Sequence, residues 1–92
     1  MKTVTVDVTE ADIALARTAT KQEGTVYCRS CVVAVAVGRY FEKGCAVGFS
    51  SVYVDGGLGY SLDETGKELR KAFDDERWED VKACQIILSV KQ

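Results

Sequence analysis

Asp55-Gly56-Gly57 stands between two runs of alternating apolar residues, and no other feature limits the fold of this chain as strongly. An Asp-Gly pair supplies the positive-φ backbone that a tight hairpin turn needs. The flanking runs, Ser51-Val52-Tyr53-Val54 and Leu58 to Leu62, therefore read as antiparallel partners. Upstream, Cys45-Ala46-Val47-Gly48-Phe49 joins Ser51 to Val54 as one strand interrupted near Gly48 or Ser50, in the manner of a bulge. Two further strands lie at the ends. Val4, Val6 and Val8 alternate with Thr5 and Asp7, and Cys84, Ile86, Leu88 and Val90 form one face of the run Ala83 to Val90.

Helical signals fill the intervals. Thr9 is a hydroxyl N-cap with an acid, Asp12, three residues on, so a short helix starts at Glu10 and frays by Thr20. Residues 18 to 27 hold few apolar anchors and read as a surface loop. In Ser30 to Lys43 the valines are β-branched and favour strand, yet Val33, Val37, Tyr40 and Phe41 share a face at helical spacing. Ser30 can cap this segment, and Gly44 stands where a left-handed C-terminal residue is wanted. The pattern predicts a buried central helix. Leu62, Leu69 and Phe73 recur at helical spacing after Asp63-Glu64, which predicts a helix over 63–75. Gly66 inside it costs about 1 kcal/mol against Ala and points to close packing on a neighbour. The fold class is then α+β, in the order β-α-α-β-β-α-β, a small antiparallel sheet of about four strands with helices on one face. At 92 residues there is room for one core, so residues 1–92 form a single domain.

Composition removes whole classes of function. Twelve basic residues against fourteen acidic ones leave a net charge of −2, without the basic excess that neutralises phosphates in a dedicated nucleic-acid binder. The chain has no His, the usual general base near neutral pH and the commonest metal ligand, and this excludes Ser-His and Cys-His nucleophile pairs. The longest uninterrupted apolar run, Cys31 to Val37, is seven residues, against the roughly 20 that span a bilayer. The first residues lack the apolar stretch of a secretory signal, so a cytoplasmic location is expected, where four Cys are thiols, metal ligands or small buried hydrophobes.

Three segments carry potential chemistry. Cys28-Arg29-Ser30-Cys31 opens the central helix, whose N-terminus stabilises a thiolate. The pair can be structural, a disulfide or redox couple, or half of a zinc site that only Cys45 and Cys84 or carboxylates could complete. Thioredoxin-type turnover normally adds a nearby cis-Pro, and the chain has no Pro. Cys84 lies in an alternating apolar strand and reads as a core thiol. Asp55-Gly56-Gly57-Leu58-Gly59 is glycine-rich but links two strands, whereas phosphate loops lead into a helix, so no nucleotide cofactor is implied. No cofactor is expected; zinc at the cysteine pair is the one alternative left open.

The third segment is acidic. Residues 63 to 80 hold eight acids and four bases, and Asp74, Asp75, Glu76, Trp78, Glu79 and Asp80 crowd its end. Such a run is either a solvated helix end or an interaction face anchored by Trp78 that meets a basic surface on another protein.

The run Val4-Thr5-Val6 into Thr9-Glu10-Ala11-Asp12-Ile13, then Cys28-x-x-Cys31 before an Ala-rich helix with Arg39, then Val47-Gly48 and Tyr53-Val54, resembles small proteins of tailed bacteriophages and their prophages. The resemblance covers most of residues 3–54 and reaches the Phe73-Asp74 region; Val32 stands where that pattern usually has Pro. It implies no activity for any residue. It implies origin, an accessory protein of a virus or mobile element working in a bacterial cytoplasm. Small acidic phage domains often bind and block host proteins, inhibitors of CRISPR systems among them. The expectation is a non-enzymatic inhibitor of a host defence protein, which is itself a nucleic-acid binder whose basic channel an acidic face can occupy. Direct contact with nucleic acid is not expected. A Cys-x-x-Cys module and a structural or assembly protein of the particle are the alternatives.

Overall fold

The alternating valines do form the first strand, β1 (Thr3–Val8), with Val6 and Val8 buried and Thr5 and Asp7 exposed. The computed structural model describes residues 2–18, 30–57 and 59–91. Among these, β1 is followed by α1 (Glu10–Thr18), α2 (Val32–Phe41), β2 (Cys45–Val47), β3 (Ser51–Val54), β4 (Gly59–Leu62), α3 (Glu64–Asp74), a 3-10 turn (Trp78–Asp80) and β5 (Cys84–Val90). Of the surface loop expected over 18–27 only Thr18 is described, as the last residue of α1, and Leu58 is likewise outside the described residues.

The strands form one antiparallel sheet in the order β1-β5-β4-β3-β2. The α+β class with helices on one face is thus observed: Val6, Val47, Val52, Ile86 and Leu88 are buried on the covered side, while Thr5, Tyr53, Gln85 and Ile87 are exposed on the other. The sheet has five strands where about four were expected, because the interruption near Gly48 is a reversal and not a bulge. The Gly48 amide donates to the Ser51 carbonyl at 2.8 Å, and Cys45, Ala46 and Val47 pair with Val54, Tyr53 and Val52. Val47 and Val52 are cross-strand partners in that hairpin, which sets both on the covered face, and both are fully buried. The turn predicted at Asp55-Gly56 is present, with Gly56 at φ 69°.

α2 lies at the centre, against β1, β2, β3, α1 and α3. Val32, Val33, Ala34, Ala36 and Val37 are all buried, and burial on nearly every side outweighs the strand preference of the valines. Tyr40, assigned to the buried face, is half-exposed and meets Phe41 edge-on at 4.9 Å. Both predicted caps of α2 move. Cys31, not Ser30, is the N-cap and makes no side-chain capping bond, and the left-handed residue at the far end is Glu42 at φ 56°, two positions before Gly44.

The first helix starts as its sequence signal requires. Thr9 Oγ1 accepts from the Asp12 amide at 3.2 Å, and Asp12 Oδ2 accepts from the Thr9 amide at 3.0 Å, a reciprocal cap. Asp12 is only 3% exposed, and Arg39 of α2 meets it with a fork, Nε to Oδ1 and Nη2 to Oδ2, both at 2.9 Å. Nη2 also donates to the Asp7 carbonyl at 2.6 Å, so one guanidinium joins α2, α1 and β1. The Arg39 fork, with help from the Thr9 bonds, holds the Asp12 carboxyl below the usual aspartate range against the opposing effect of burial. No helix among the described residues is long and apolar enough to cross a membrane.

Candidate functional site

Helix α3 carries the acidic segment, and its ends fix where those side chains go. Asp63 is the N-cap; its Oδ1 accepts from the Gly66 amide at 2.8 Å and its Oδ2 from the Ile87 amide at 3.1 Å, tying the helix start to β5. The close packing expected at Gly66 is there. An added Cβ would stand 3.0 Å from Leu62 Cδ2 and 3.1 Å from the capping carboxylate. Leu69 and Ala72 are buried against the sheet and α2, with Phe73 half-buried beside them.

At the other end the chain turns through a left-handed residue. The Glu76 amide donates to the Phe73 carbonyl at 3.2 Å and the Arg77 amide to the Ala72 carbonyl at 2.9 Å, the bond pair of a Schellman motif. The motif's left-handed position, usually glycine, is held by Glu76 at φ 58°. Trp78 follows at once. Its ring packs edge-on against Phe73 at 5.4 Å, and the Arg17 guanidinium lies over its other side at 4.3 Å. Trp78 thereby fastens the 3-10 turn to both α3 and α1, and it is half-buried, not projecting.

The carboxylates divide into two kinds. Asp74 pairs with Arg70 at 3.1 Å, Asp75 with Lys71 at 3.0 Å and Arg77 at 3.6 Å, and Asp80 with Arg77 at 2.9 Å. The bond from Lys71 holds the Asp75 carboxyl below its ordinary value, with Arg77 adding to it. Among the described residues, Glu76 and Glu79 pair with no cation, and both are exposed. The six predicted residues therefore lie together at one end of α3, but three of their five carboxylates are neutralised by helix neighbours and by Arg77.

Among the described residues, clefts lie on two sides of α3. One, of about 600 Å³, lies between α3, the 3-10 turn and the start of β5, with Leu69, Ala72, Arg77, Asp80 and Cys84 among its walls. Burial, reinforced by Asp63, pushes the Cys84 thiol up, so it stays protonated at neutral pH. The other, of about 330 Å³, lies between α3 and the β2–β3 turn and is walled by Phe49, Lys67, Arg70, Lys71, Asp74 and Asp75. Reading along the chain gave no sign of it. Phe49 and Arg70 are brought together only by the reversal at Gly48, which had been expected to be a bulge.

The cysteine pair is only half visible. Cys28 and Arg29 lie outside the described residues, and Cys31 is fully buried at the start of α2. Cys45 donates its thiol proton to the Ala34 carbonyl at 3.2 Å. Cys45 on β2 and Cys84 on β5 are three strand spacings apart, about 14 Å, and cannot complete one tetrahedral zinc site together. Among the described residues, no three Cys, Asp or Glu side chains converge as a metal ion requires. Compared with known proteins, the chain matches no family model, no curated protein and no solved structure.

Proposed function

We propose that this domain is a non-enzymatic accessory protein of a phage or mobile element, acting in a bacterial cytoplasm, that binds and inhibits a host defence protein in the manner of an anti-CRISPR. The observation that carries the reading is the turn after α3. Glu76 is held in a conformation that costs an L-residue about 1–2 kcal/mol, in a position where glycine would cost nothing. Strain of this kind persists where the surroundings over-determine it, and here Trp78, clamped by Phe73 and Arg17, supplies that rigidity. The result is a pre-organised pair of carboxylates with no cation partner among the described residues, Glu76 and Glu79, set beside the neutralised Asp74, Asp75 and Asp80. Rigid presentation lowers the entropic cost of binding, and the net negative charge suits a basic partner surface. The resemblance to small phage proteins supplies the host setting.

The test is functional. In bacteria carrying an active nucleic-acid-targeting defence, expression of the wild-type domain should raise the plating efficiency of a targeted phage. The double variant Glu76→Lys with Glu79→Lys, shown by circular dichroism to be folded, should lose that effect by about tenfold or more, two rim charges reversed against a complementary surface. Equal protection by the folded variant would overturn the reading.

A further inference from the structure

The cleft between the β2–β3 turn and α3 holds a guanidinium that the fold leaves incomplete. Arg70 is 6% exposed, and its Nη1 pairs with Asp74 at 3.1 Å. Its Nε is buried and has no hydrogen-bond partner among the described residues. A buried donor on a charged group is normally satisfied, because leaving it unpaired costs more than an ordinary hydrogen bond contributes. Over this guanidinium lies the ring of Phe49, 5.0 Å from the guanidinium carbon to the ring centroid. Phe49 is 75% exposed, the most exposed of the large apolar side chains described. A cationic donor without a partner among the described residues and an exposed aromatic ring thus lie against one another in the wall of the same cleft.

We propose that this cleft binds a carboxylate attached to an apolar body. The carboxylate takes the Nε–Nη2 edge of the Arg70 guanidinium, while Asp74 keeps Nη1; two parallel N–H···O bonds are the preferred geometry of arginine with a carboxylate. The apolar part lies against Phe49, whose ring turns outward about its own side-chain bonds to admit the acid and then covers it. Charge favours an anion. Lys67, Arg70 and Lys71 line the cleft against Asp74 and Asp75, and the exposed pairs Lys67–Glu64 and Lys71–Asp75 are of the weak kind that yields readily to a ligand. The site goes beyond the proposed inhibitory role; its walls share Asp74 and Asp75 with the proposed face but include neither Glu76 nor Glu79.

Phenylacetate is the probe, with benzyl alcohol (same ring, no charge) and inorganic phosphate (charge, no ring) as its controls. In a titration followed by nitrogen–proton NMR of the full chain, phenylacetate should shift the Arg70 Nε–Hε resonance and the amides of Gly48, Phe49 and Ser50 saturably. Benzyl alcohol and phosphate should not. Phe49→Ala should weaken phenylacetate binding roughly threefold to fivefold, and Arg70→Lys, which keeps charge but loses the fork, about tenfold or more. Phe49 is exposed, so its variant keeps the fold and remains informative if Arg70→Lys does not fold. The proposal is overturned by the absence of saturation with phenylacetate, by an equal response to benzyl alcohol or phosphate, or by unchanged affinity in Phe49→Ala.

Discussion

Two aspartate–arginine pairs among the described residues, each buried on one side, are built in opposite senses. In Asp12–Arg39 the carboxylate is buried and the guanidinium half-exposed; in Arg70–Asp74 the guanidinium is buried and the carboxylate reaches solvent. The buried Asp12 carboxylate is fully used, with the Thr9 amide and two Arg39 donors on its oxygens. The buried Arg70 guanidinium is under-used, with its Nε unpaired among the described residues. A buried ion is tolerated when its remaining hydrogen-bonding capacity is met, and only the first pair meets that condition. The first therefore reads as a structural clamp and the second as a site awaiting a further group.

The clamp yields the largest expected effect. Asp12→Ala removes the helix cap and the partner of Arg39 together, and should lower unfolding free energy in urea by about 3 kcal/mol at neutral pH. The pH dependence follows from the depressed carboxyl. With its folded value below the ordinary 3.8, Asp12 contributes stability that is complete above 3.8 and is lost as pH falls through the folded value. The gap between wild type and Asp12→Ala should therefore narrow below pH 3.8. A gap that stays constant across that range would show that folding does not lower the Asp12 carboxyl.

This clamp was partly legible along the chain, and the contrast with Arg70 shows why. Thr9 and Asp12 are three residues apart, so their reciprocal cap is a local signal, as are the Asp55-Gly56 turn, the Asp63 cap and the alternation of β1 and β5. Arg39 was marked only by the resemblance, since its reach to Asp12 and Asp7 depends on how α2 crosses β1. Arg70 carried no mark at all, because its environment is made by Phe49, and Phe49 arrives there through a reversal lacking the usual Asn-Gly or Asp-Gly signature. The acidic run around Trp78 was visible as composition. That Arg70, Lys71 and Arg77 neutralise three of its carboxylates, and that Arg17 of α1 covers Trp78, are facts of packing.

Replacing each arginine by an apolar side chain of similar length separates the two pairs directly. Arg39→Met strands a buried carboxylate and should lower the melting temperature clearly. Arg70→Met removes a buried donor that lacks a partner among the described residues, fills the same space and takes from Asp74, whose side chain is 36% exposed, only its Arg70 pairing, so stability should be unchanged or higher by about 1 kcal/mol. Thermal melts of both proteins under one buffer decide the matter. If Arg70→Met is as damaging as Arg39→Met, the guanidinium is satisfied within the fold and the contrast between the pairs dissolves.

The smallest effect comes from a second matched pair, the left-handed residues that end α2 and α3. Glu42 at φ 56° and Glu76 at φ 58° have nearly the same backbone conformation, so Glu42→Gly and Glu76→Gly should each stabilise the domain by about 1 kcal/mol or somewhat less, the unfolded-state freedom of glycine offsetting part of the gain. Only Glu76 belongs to the proposed binding face. Equal gains in stability accompanied by weaker phage protection for Glu76→Gly alone would assign its carboxylate to the partner, because the two substitutions relieve the same strain. Weaker protection in both variants would instead tie inhibition to the stability or dynamics of the helix ends, and the turn after α3 would lose its special place.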